Sequence, residues 1–127
     1  MRHSRKGFTF LEILIVALIF FVAVFTLAAL YASCLTLLSQ AKEIDIVTND
    51  IKNVMENIKG LPFSSIMTNF PDGASVPGVY LLRNETLIVS YPSVTPELLE
   101  IQVEAHWLGR DNNEHQQTFK TIVYKGL

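Results

Sequence analysis

The chain has 127 residues, half of them hydrophobic, and a formal net charge of −2. That mildly acidic balance excludes binding by neutralisation of a phosphate backbone with Lys and Arg, so no nucleic-acid partner is expected. The single cysteine, Cys34, excludes an intrachain disulfide, and what remains beyond the apolar N-terminal part suffices for one small domain.

The chain opens with a basic head, Arg2, Arg5 and Lys6, followed by Gly7 and Phe8-Thr9-Phe10-Leu11-Glu12. From Ile13 to Leu38 no residue carries a charge, and the small polar side chains are Thr26, Ser33, Thr36 and the Cys34 thiol. A bilayer core takes roughly 20 apolar residues in helical form, so this run is long enough to span it with some tilt. A secretory signal peptide has a shorter apolar core, about 7–15 residues, ending in a small-residue cut site. Arg2, Arg5 and Lys6 precede the run, while Glu43, Asp45, Asp50 and Glu56 outnumber Lys42 and Lys52 after it. The positive-inside rule then puts the N-terminus in the cytoplasm and the bulk of the chain on the far side. Cys34 reads as a small apolar packing residue.

Glu12 is out of place at the edge of such a run, because an unpartnered carboxylate there costs on the order of a few kcal/mol. Thr9-Phe10-Leu11-Glu12 has the spacing of a capping box, in which Glu12 bonds a backbone N–H at the helix start. Continued hydration at the interface is another reading.

Basic residues, a glycine, an aromatic, a glutamate at the fourth position after it and a long apolar helix occur here together. In this arrangement Arg5 to Val16 resembles the leader and N-terminal helix of type IV pilins and type II secretion pseudopilins. The resemblance implies a leader of residues 1–7, removed by a prepilin peptidase between Gly7 and Phe8, with Phe8 becoming an N-methylated terminus. It implies as partners that peptidase, other pilin or pseudopilin subunits, an inner-membrane assembly platform and membrane lipid. The implied location is the bacterial inner membrane as a single pass, then a filament in the periplasm or outside the cell. Cleavage would turn an uncharged amide nitrogen at Phe8 into an amine largely protonated at neutral pH. A neighbouring subunit's Phe8 amine is then the expected counter-ion of Glu12. The apolar helix lacks the proline and glycine that many major pilins carry there, which keeps it continuous and points to a minor subunit. The resemblance also covers, more weakly, the last two strands.

From Gln40 to Lys59 apolar residues Ile44, Val47, Ile51, Val54, Met55 and Ile58 recur at spacings of three and four, a helical stripe among charged residues. With no Pro or Gly between Phe8 and Lys59, one helix is expected over 8–60, its membrane segment at about 13–38, with Gly60 and Pro62 ending it. Residues 61–127 form the head. Leu61 to Gly78 reads as a loop with a turn at Pro71-Asp72-Gly73, anchored by Phe63, Ile66, Met67 and Phe70. Val79–Leu82 and Thr86–Val89 read as a hairpin around Arg83-Asn84-Glu85. Asn84-Glu85-Thr86 matches an N-glycosylation acceptor, which we read as coincidental in the bacterial chain that the resemblance implies. Pro92 and Pro96 bracket a second loop. Leu99 to Leu108 alternates, with Ile101, Val103, Ala105 and Trp107 on one face. Gly109 to Glu114 is a polar turn, and Thr118 to Lys125 is the last strand. The expected fold is α+β: a long helix whose amphipathic second half lies on an antiparallel sheet of three to four strands.

No catalytic, cofactor or metal site is read from the sequence. His3 lies in the leader, and a His106–His115 pair across the last hairpin supplies two ligands and no third. Glu97, Glu100 and Glu104 read as solvated surface. The expected function is structural, a filament subunit and no enzyme. The alternative is a single-pass tethered binding module that never assembles; it would need neither Gly7 before Phe8 nor Glu12.

Overall fold

The structure, a computed structural model, describes residues 9–126. Helix α1 runs Phe10–Lys59. Two compact units divide after Leu38.

In the first unit α1 is apolar on every face. Of the residues from Ile13 to Leu38 only Ala17 is partly covered; the rest are exposed. The hydroxyls are internally satisfied: Thr26 Oγ1 donates to the Val22 and Ala23 carbonyls at 3.0 and 2.9 Å. Ser33 and Thr36 donate to the carbonyls four residues back, at 3.0 and 3.1 Å. Such back-bonding satisfies these three hydroxyls without water. Length and composition fit a single-pass membrane anchor.

In the second unit the rest of α1 is amphipathic and packs on a four-stranded antiparallel sheet of order β1-β2-β3-β4. The strands are β1 (Ala74–Ser75), β2 (Thr86–Val94), β3 (Leu98–Leu108) and β4 (Glu114–Tyr124). The helix buries Val47, Ile51, Val54 and Ile58. They meet Leu87, Val89 and Tyr91 of β2 and Leu99, Ile101, Val103, Ala105 and Trp107 of β3 in one core. This is the two-layer solution expected of one apolar helix face and one apolar sheet face. β3 alternates strictly because both of its edges are paired and one of its faces is covered.

The structure corrects the expected elements in several places. Ile44, expected in the buried stripe, is 48% exposed, and its neighbour Glu43 is buried instead. The segment after α1 is not merely a loop: it holds a 3₁₀ turn, Phe63–Ser65, and a one-turn helix α2, Ile66–Asn69, whose Ile66 plugs the core while Met67 faces out. Val79–Leu82 is not a strand of a hairpin. It alternates because Tyr80 and Leu82 pack on the core while Val79 and Leu81 face solvent, with no ladder behind the pattern. The strand beside β2 is instead the short β1, positioned by the turn at Pro71. There Gly73 takes φ +71, a left-handed value that glycine adopts without strain.

Pro92 lies inside β2, where a loop was expected. Its missing N–H is accommodated by a β-bulge, since Ser90 pairs with Gln102 and Ser93 with Glu100. Thr95 to Leu98 closes the hairpin, with Pro96 at the second position of the turn. β4 starts at Glu114, four residues before the expected strand, and none of its residues is fully buried. Gly109 begins the turn before it. A Cβ there would come within 2.6 Å of Asp111 Oδ1 and 2.7 Å of the His115 ring, so a larger residue would push those two side chains aside.

Candidate functional site

The feature that sets this chain apart from an ordinary small α+β domain is the start of α1 and the apolar surface behind it. Thr9 is the N-cap. Its Oγ1 accepts from Glu12 N at 3.4 Å, and Glu12 Oε2 accepts from Thr9 N at 3.3 Å. The reciprocal pair is a capping box, as the spacing predicts. Both bonds are longer than a typical N–H···O bond and both are exposed, so they hold Glu12 lightly. The carboxylate also lies where the helix dipole favours negative charge. Glu12 is the sole charged residue between Thr9 and Ala41. The sequence-predicted Gly7, Phe8, Arg2, Arg5 and Lys6 lie outside the described residues. Cys34 is exposed on the apolar run and is a free thiol.

In the head, the structure separates residues the sequence could have joined. Trp107 pairs with His115 and His106 with Gln116, so the two histidines project from opposite faces of the hairpin. His106 Nε2 meets Glu104 Oε1 at 3.2 Å, and Glu100 lies 3.8 Å from Lys120. His115 stacks on Trp107 at 5.5 Å and bonds Asp111 Oδ1 at 3.0 Å. That bond, with help from Asn113, lowers the Asp111 carboxyl to about 2. No group of three or more potential metal ligands occurs among the described residues.

Two acidic positions escaped the sequence reading. Glu43 is buried, and its Oε1 accepts from Arg110 N at 3.2 Å, with Arg110 Nε at 3.9 Å. This contact ties α1 to the β3–β4 turn across 67 positions of sequence. Glu85 is buried beside Asp50, and its Oε2 accepts from Leu82 N at 3.1 Å. Burial raises the Glu85 carboxyl above its usual range; the Leu82 N–H opposes that, and the charge of the Asp50 carboxylate adds to it. Burial likewise raises Tyr80 next to them, with both acids contributing. An acid within an apolar stripe was the available signal for Glu43, but its partner is non-local and invisible to periodicity.

A third feature is a recess of about 290 Å³ whose lining includes Ser39, Lys42, Glu43, Arg83 and Arg110. Three of these residues are cationic.

Compared with known proteins, the chain matches no family model, no curated protein and no solved structure.

Proposed function

We propose that this chain is a structural subunit of a filament of the type IV pilus or type II secretion pseudopilus kind, and a minor one. It enters the inner membrane through residues 13–38, with its N-terminus cytoplasmic. A prepilin peptidase cuts between Gly7 and Phe8 and methylates the new terminus. An assembly platform then moves the subunit into a filament, where the apolar half of α1 packs against its copies or relatives and the head forms the surface. Such packing is heterologous and does not close.

The observation that carries this reading is the conjunction of Gly7-Phe8 with Glu12, the lone charge on the apolar first half of α1, which leaves its apolar side chains exposed all round. An exposed apolar surface of that extent requires lipid or other helices against it. Among the described residues the Glu12 carboxylate accepts one long bond, from Thr9 N at 3.3 Å, so it remains open to a stronger partner. A protonated Phe8 amine of an adjacent subunit is that partner, and pairing the two favours one axial stagger.

The capping box itself supports a second reading, because it gives Glu12 a local purpose. On that reading the chain is a membrane-tethered module that stays unprocessed and unassembled. Membranes holding the full chain, treated with a prepilin peptidase and analysed by mass spectrometry, separate the two. Release of residues 1–7 is expected. A chain that persists intact, under conditions in which a control prepilin is cut, supports the tethered module.

A further inference from the structure

We infer that Asp50 and Glu85 hold one proton between them, and that this shared proton latches the loop of residues 76–85 onto the head; when both carboxyls ionise, the loop is released. The latch belongs to the head alone and is independent of filament assembly.

Glu85 is 8% exposed, and its Oε1 is buried with no hydrogen-bond partner among the described residues. Asp50 Oδ2, on α1, is likewise buried and unpartnered. The two carboxyls lie within hydrogen-bonding reach of each other. Two ionised carboxyls can only accept, so neither satisfies the other. A proton on either one supplies the missing donor and pairs both orphaned oxygens at once. With two like charges at one site, that proton belongs to the pair and not to a single residue.

The groups around the pair leave that place to a proton. The Tyr80 hydroxyl, whose own ionisation feels both acids, donates to the Val76 carbonyl at 2.9 Å. The Leu82 N–H is taken by Glu85 Oε2 at 3.1 Å. On α1 the positions three and four from Asp50 are Ile46, Val47, Asn53 and Val54, none of them ionisable, and Lys42, Asp45, Lys52 and Glu56 are exposed. β2 and β3 present Leu87, Val89, Val103 and Ala105 to the core. His106, across from Thr86, meets Glu104 at 3.2 Å. Arg83 donates to Asn112 Oδ1 at 2.6 Å, and Glu43 accepts from Arg110. Burial first, and then the charge of Asp50, raise the Glu85 carboxyl.

Little else fastens the loop. Beyond Val76 N, which donates to the Leu87 carbonyl, its backbone is tied to the sheet by Leu108 N, which donates to the Arg83 carbonyl at 2.9 Å. A segment held by so few backbone bonds opens locally at a fraction of the global cost. Tyr80 and Leu82 pack on the core while Val79 and Leu81 are exposed. Release therefore brings Tyr80 and Leu82 out beside Val79 and Leu81, and an alternating loop becomes a continuous apolar segment. The direction follows from Glu85. Its carboxyl is raised in the fold, so docking is fully favoured below the unfolded value, about 4.3, and weakens as pH rises through the raised one.

Amide hydrogen exchange of the full chain in detergent, at pH 4 and pH 8 and corrected for intrinsic rates, reads the latch at two amides. These are Leu82, bonded to Glu85, and Leu108, bonded to Arg83. Relative to Val103 in the middle of β3, which reports folding, their protection should fall at least about fivefold at pH 8. Glu85→Gln and Asp50→Asn each install a permanent N–H donor, so in both variants that protection should no longer change with pH. Native protection that is equal at the two pH values overturns the inference. So does a fall that persists in both variants, because the titrating group then lies elsewhere. Native protection at pH 8 that chelation with EDTA removes also overturns it, because a divalent cation then takes the place of the proton.

Discussion

The sharpest prediction separates the two roles available to Glu12, helix cap and counter-ion, with a pair of substitutions. The capping bonds are exposed and measure 3.3 and 3.4 Å. Glu12→Ala removes the bond from Thr9 N to the carboxylate and keeps the bond from the Glu12 backbone N–H to Thr9 Oγ1, so it should cost the helix start only about 0.5–1 kcal/mol. Glu12→Gln retains the cap, because an amide oxygen accepts a hydrogen bond as a carboxylate does. It loses the charge, and so leaves the neighbour's Phe8 amine unpaired in an apolar filament core. Breaking a buried ion pair from one side costs about 3–5 kcal/mol, more than a hundredfold in an assembly equilibrium. The assay is the fraction of chain recovered in sheared filaments against that left in the membrane. Both variants should insert and be cleaved normally, and both should fall in incorporation by about a hundredfold or more. If Glu12→Gln assembles like the native chain while Glu12→Ala does not, Glu12 is a cap and the counter-ion reasoning is wrong.

Other predictions concern the head. Ile51 is fully buried and Ile44 half exposed on the same helix, so Ile51→Ala should cost about 2–5 kcal/mol and Ile44→Ala less than about 1 kcal/mol. Thermal unfolding of the full chain in detergent, followed by the fluorescence of the buried Trp107, would show the difference as a drop of at least about 10 °C for Ile51→Ala alone. Glu85 has its carboxyl raised in the fold, chiefly by burial. Its native state therefore favours the protonated form, and stability falls as pH rises from the unfolded value, about 4.3, through the raised native one. Glu85→Gln should accordingly stabilise the head at neutral pH and confer less near pH 4, in parallel melts at the two pH values. The Asp111 carboxyl, lowered chiefly by its hydrogen bond from His115, should titrate near 2 in carbon-detected NMR. His115→Phe should move that midpoint upward.

What was legible in the sequence follows from where one physical constraint acts alone. The uninterrupted helix shows because its first half is apolar on all sides and its second half repeats at three and four. β3 shows because it is central and covered on one face, which forces strict alternation. Val79–Leu82 misleads because alternation records which side chains face in, and a loop lying on a core can alternate without a ladder. Pro92 misleads because proline argues against a strand unless a bulge receives it, and the bulge is set by the partner strand. The first half of β4 is hidden for a related reason: an edge strand with no fully buried residue can be written in Glu, His and Gln. Of the candidate site, the capping box was legible from four adjacent residues. The Glu43–Arg110 tie and the cationic recess were not, since each gathers residues from separate elements that only the fold brings together.

The central claim is that proteolysis creates the positive end-group that Glu12 meets. Mass spectrometry of the N-terminal peptide, taken from the protein as its host assembles it, tests this most directly. The account predicts a peptide beginning at Phe8 and heavier by one methyl group. A peptide that begins at Met1, or otherwise retains Arg5-Lys6-Gly7, contradicts it.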